Sequence, residues 1–98
     1  METGRKLSVQ SIGMLVSRYY LRFSAIDKPG VLSRISGILG RYQVSISDVI
    51  QIERRVGNFV PLILVTHEAK EANVMRAINL INRLRIVKRG SQVLRIGD

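Results

Sequence analysis

Residues 18–26 alternate strictly, with Tyr19, Leu21, Phe23 and Ala25 in one phase and Arg18, Tyr20, Arg22 and Ser24 in the other. A two-residue period of this kind predicts a strand with one face buried and the other largely polar. The period then changes. Val31, Leu32, Ile35, Ile38, Leu39 and Tyr42 recur at helical spacing behind Pro29, whose missing N–H costs nothing in a first turn, so a helix is predicted over residues 30–42. Gly37 and Gly40 fall inside it. Each costs about 1 kcal/mol relative to Ala, which implies close packing of this helix on something flat, such as a sheet.

Residues 44–53 return to the two-residue period, with Val44, Ile46, Ile50 and Ile52 in one phase. Arg54-Arg55-Val56-Gly57-Asn58 reads as a hairpin turn. Residues 59–66 are apolar in both phases around Leu62, Ile63, Leu64 and Val65, as an inner strand requires, and Pro61 belongs at its start or at a bulge. A second helix is predicted over residues 69–83 from Val74, Ala77, Ile78, Ile81 and Leu84, with Glu68 and Glu71 early and Arg83 late to suit the helix dipole. Ile86-Val87, a break at Lys88-Arg89-Gly90, and residues 92–96 complete a last strand. The order strand, helix, strand, strand, helix, strand predicts an α+β fold: a ferredoxin-like βαββαβ sandwich with a four-stranded antiparallel sheet and both helices on one face. Residues 1–17 have no sustained period and read as a tail or linker, leaving residues 18–97 as one domain.

Composition narrows the chemistry. The chain has 98 residues, 46% of them hydrophobic and none of them Cys, which fits a packed domain without disulfides or thiolate metal sites and makes the cytoplasm the expected location. No apolar run is long enough to span a membrane. The formal net charge of +9 would attract polyanions, but the basic residues are spread along the chain, and only Arg83, Arg85, Lys88, Arg89 and Arg95 gather in sequence. Enzymatic residues are scarce. His67 is the single histidine, and a helix-capping role suits it better than that of a base or metal ligand. No serine sits in a nucleophile elbow, and no Gly-rich dinucleotide or phosphate loop is present. An RNA-binding module would use both this fold and the charge, yet the third strand offers only Phe59 for base stacking, which argues against it.

The loop after the first strand is the candidate site. Free N–H groups of Gly30, Val31 and Leu32 at a helix start would hold a carboxylate, Gly30 lets a ligand approach the backbone, and Asp27 could pair with an ammonium group. Asp27 serves equally well as a turn or helix-cap residue.

Several segments together resemble a known family. Asp27-Lys28-Pro29-Gly30-Val31-Leu32 resembles the signature of ACT domains broadly. Val49-Ile50-Gln51 and Val65-Thr66-His67-Glu68-Ala69 are similar to the C-terminal ACT domain of bacterial homoserine dehydrogenases. The resemblance covers about residues 16–97. It implies side-by-side pairing into a homodimer or higher homo-oligomer through the second strand and first helix, with an amino acid bound at the shared interface. Carried over, it nominates Asp27, Lys28, Gly30, Val31 and Leu32 on one side and Ser45, Ile46 and Ser47 on the other. It further implies feedback control, with L-threonine as the usual inhibitor, of an enzyme whose NAD(P) cofactor and catalytic residues belong to a region this chain lacks. No metal and no cofactor are expected in the chain itself. The alternatives are an RNA-binding module and a purely structural oligomerisation domain. Gln43 departs from the family, which often has Gly or Asn after the first helix; a left-handed backbone there would cost Gln about 1 kcal/mol.

Overall fold

The computed structural model describes residues 14–97. The chain runs β1 (Val16–Ile26), α1 (Val31–Arg41), β2 (Ile46–Gln51), β3 (Phe59–Thr66), β4 (Ala69–Lys70), α2 (Glu71–Ile81) and β5 (Gln92–Gly97). The strands form one antiparallel sheet in the order β2-β3-β1, with β5 and the short β4 both pairing the free side of β1. The ferredoxin-like plan is therefore observed, with β4 as a fifth, two-residue strand pairing Val16 and Ser17. Most of the expected tail lies outside the described residues, and β1 begins at Val16, ahead of the predicted start.

The alternation in β1 is what makes the core. Tyr19, Leu21, Phe23 and Ala25 are buried, and they meet Leu62 and Leu64 of β3, Ile35, Ile38 and Leu39 of α1, and Val74, Ala77, Ile78 and Ile81 of α2 in a single cluster. Both helices thus cover one face of the sheet. The other face carries Tyr20, Arg22 and Ser24 of β1 beside Val65, Ile63 and Pro61 of β3.

Four expectations need correction. Gly37 and Gly40 do not pack on the sheet: both are exposed, and a Cβ at either would meet nothing within 4 Å beyond the helix itself. The helix reaches the sheet through its large aliphatic residues instead. In β2 the single apolar phase breaks, because Ile46 pairs Thr66 while Asp48 pairs Val65, which leaves Ser47 as the extra residue of a bulge. After it, Val49 shares the helix-side phase of Leu64, and Ile50 turns with Ile63 to the open face. His67 does not cap α2. It stands four positions ahead of that helix, whose N-cap is Lys70, and its N–H donates to the Ser45 carbonyl at 2.8 Å. Arg95 does not join a terminal basic patch, because its guanidinium binds Glu71 of α2 at 2.7 Å.

Gln43 does adopt the left-handed backbone, with φ 66°. The Val44 N–H reaches the Leu39 carbonyl at 2.9 Å and the Gln43 N–H reaches that of Gly40 at 3.0 Å, which is the Schellman closure of a helix. Leu39 and Val44, the apolar pair that accompanies this motif, are both fully buried.

Candidate ligand-binding site at the start of the first helix

The β1–α1 loop is pinned on both sides. The Ile26 N–H donates to the Ile86 carbonyl at 2.8 Å, and the Asp27 N–H donates to the Asn58 carbonyl at 3.1 Å, fixing the loop against the tip of the β2–β3 hairpin. Gly30 then takes φ 88°, a conformation costly for any residue with a Cβ, and α1 starts directly behind it. No side chain caps the helix. The Val31 N–H is not free, as expected from the sequence, but donates to the Lys28 carbonyl at 3.3 Å. The N–H groups of Gly30, Leu32 and Ser33 have no acceptor among the described residues, so the positive end of the helix dipole remains open to an anion.

Asp27 is likewise not idle. Its Oδ2 accepts from the Arg55 guanidinium at 2.6 Å, and its Oδ1 lies 3.4 Å from the Gln51 amide nitrogen. The ion pair is largely exposed, a setting in which such pairs contribute about 0–1 kcal/mol. The carboxylate therefore has one firmly held oxygen and one loosely held oxygen.

Beside these groups lies a cavity of about 260 Å³. Its walls include Asp27, Lys28, Val31 and Leu32 from the loop and helix, Gln51 from β2 and Val60 from β3. Its size suits a metabolite smaller than a drug-like ligand, and its apolar walls with a few polar groups are typical of such sites. A neighbouring cavity of about 600 Å³ shares Asp27, Gln51 and Val60 with it and adds Glu53, Arg54 and Arg55. Gln51 and Arg55 are the contributors that periodicity alone does not single out. Gln51 does stand in one of the segments on which the family resemblance rests.

Ser45, Ile46 and Ser47 are not brought to this cavity within one chain. β2 runs antiparallel to β3, so these residues sit at the end of the sheet marked by Thr66 and Val65. Tyr20 faces Val65 there, and Asp27 lies seven residues further along, about 23 Å at strand spacing. The Ser47 hydroxyl donates to the Val65 carbonyl at 3.1 Å, and the Arg18 guanidinium approaches it at 3.4 Å. β2 is an edge strand whose residues Asp48 to Gln51 are exposed.

No group of three or more metal-ligating side chains occurs among the described residues, and no helix there is long and apolar enough to cross a membrane.

A family model described as the ACT domain matches residues 19–79. A homoserine dehydrogenase of Methylobacillus glycogenes is 43% identical over 79 residues, covering 80% of this chain and 19% of that protein. One from Mycobacterium leprae is 33% identical over 97 residues, covering 93% and 22%. Among solved structures, a homoserine dehydrogenase from Thiobacillus denitrificans superposes with a TM-score of 0.76 at 36% identity, covering 86% of this chain and 18% of that one. The chain thus spans about a fifth of the length of the curated relatives it matches.

Proposed function

The chain belongs to the ACT-domain family, and on that premise we propose that it is the amino-acid-sensing domain of a homoserine dehydrogenase, binding L-threonine and mediating feedback control through pairing with a second copy. The observation that carries this reading is the open start of α1. Leu32, whose N–H has no acceptor among the described residues, lines the same cavity as Asp27, and Gly30 with its own unpartnered N–H stands two positions before it, so the carboxylate and ammonium of one zwitterion find complementary partners a few residues apart.

Pairing completes the site. Two β2 edges set antiparallel about a two-fold axis near Asp48 and Val49 would put the Ile46 end of one strand against the Gln51 end of the other. Ser45, Ile46 and Ser47 of a second copy then come to the cavity that their own chain cannot reach. A ligand held between copies favours one relative arrangement, and an attached catalytic region that differs between arrangements responds to it. The size of that response is set by the ligand's difference in affinity for the two arrangements. Reduction of an aldehyde with a nicotinamide cofactor would belong to that other region. This chain contributes the sensing.

A melting screen against the common amino acids at fixed protein concentration tests the proposal. A ligand present at about 100 times its Kd adds roughly 2.7 kcal/mol to the native state, so L-threonine should raise the midpoint by several degrees. Gly30→Val, which forces a β-branched residue into the left-handed region, should abolish that rise. A midpoint indifferent to every amino acid would remove the sensing role and leave the fold and family assignment intact.

A further inference from the structure

The helix-free face of the sheet holds a cavity of about 390 Å³ whose walls include Arg22, Ser24, Arg54, Phe59, Pro61 and Gln92. It shares no residue with the 260 Å³ cavity beside α1. Strand register explains how it forms. Arg22 lies between Ile63 of β3 and Gln92 of β5, and Ser24 faces Pro61, so the polar phase of β1 makes the floor. The β2–β3 hairpin supplies Arg54 from one side.

The cavity gathers cations without a carboxylate among them. Among the described residues, neither Arg22 nor Arg54 has a carboxylate partner, since the ion pairs there join Arg55 to Asp27 and Arg95 to Glu71. The Lys88 ammonium stands 4.8 Å from the centre of the Phe59 ring, outside the cavity lining itself. No acidic residue lines the cavity. Gathering like charges is unfavourable unless an anion joins them, and the planar fork of Arg matches phosphate oxygens two at a time. A phosphate ester, with close to two negative charges, balances two guanidiniums better than a single carboxylate does. Phe59 and Pro61 offer an apolar surface next to the cations.

We propose that this cavity binds a phosphate-bearing ligand, with Arg22 and Arg54 holding the phosphate oxygens and Phe59 and Pro61 receiving its flat or apolar end. The site shares only Arg54 with the 600 Å³ cavity that adjoins the amino-acid seat, and it gives part of the +9 net charge a specific use.

Calorimetric titration with ATP, with pyrophosphate and with a short single-stranded oligoribonucleotide, at about 0.15 M salt to suppress diffuse attraction, tests it. Saturable binding is expected, weakened at least about tenfold by Arg22→Gln/Arg54→Gln. The same loss of charge on the helical side, Arg76→Gln/Arg83→Gln, should leave it nearly unchanged. Melting midpoints of both pairs verify that each variant is folded. Binding of ATP or pyrophosphate at one per chain identifies a small-molecule phosphate as the source. Tighter binding of the oligonucleotide, lost in the first pair, identifies a nucleic-acid phosphate. No saturable binding of any of the three, or equal binding losses in both variant pairs, overturns the proposal.

Discussion

Gln43 closes α1 at φ 66°, where a side chain with a Cβ crowds the following carbonyl. Every other residue with a positive φ among those described is a glycine. Gln43→Gly should therefore raise stability by about 0.5–1 kcal/mol, the relief of strain exceeding the extra freedom given to the unfolded chain. Denaturant unfolding with an unchanged m-value would show it. Tyr19 makes a second residue-scale prediction. Its hydroxyl donates to Glu71 Oε1 at 3.1 Å, and burial first, with that bond to Glu71 second, raises its pKa above the ordinary 10.0. The unfolded chain loses this proton near the ordinary value while the folded chain keeps it. The contribution is thus complete below the unfolded pKa and is lost as pH rises through the higher folded one. Tyr19→Phe should cost about 1 kcal/mol at neutral pH and flatten the alkaline fall in stability, as melting at stepped pH would reveal. Both positions were legible to different degrees in the chain. Gln43 is marked by its place just after the last helical apolar residue, whereas the link of Tyr19 to Glu71 joins residues 52 apart, which no local pattern encodes.

At the scale of elements, β1, α1 and β3 follow directly from period, because each buries a continuous apolar phase. β2 does not. Its bulge at Ser47 exchanges the two faces midway, so an apolar set that looks continuous in the sequence, Val44, Ile46, Ile50 and Ile52, is divided between the helix side and the open side. The candidate site was legible in one half for the same reason. Asp27 and Gly30 are local to a strand–helix turn, but Gln51 and Arg55 arrive through sheet pairing and the hairpin, and Asp27 was already in an ion pair with Arg55. α1 offers an element-scale test. Gly37 is exposed, and a Cβ there meets no neighbouring element, so Gly37→Ala should stabilise the isolated domain by about 0.5–1 kcal/mol. A loss of stability that grows with protein concentration would instead reveal a second copy packed closely on that stretch of α1.

The described residues form a sheet with one covered face, one uncovered face and edges at β2 and β5. Its family membership follows from the ACT match over residues 19–79, while the use of its faces is a matter of chemistry at particular positions. Sensing needs a ligand seat at the start of α1 and a partner at the β2 edge, and both should respond to the same molecule. Addition of L-threonine should shift the chain toward the dimer in sedimentation velocity, because a ligand that bridges two copies binds the pair more tightly than the single chain. Asp27 is the residue on which this account converges. Isothermal titration of L-threonine into the unaltered chain and into Asp27→Asn, whose neutral amide keeps the shape but cannot balance an ammonium, is the most direct measurement of it. The account predicts saturable heat with the first and at least about a tenfold weaker affinity with the second; equal binding by both proteins, or no heat from either, would contradict it.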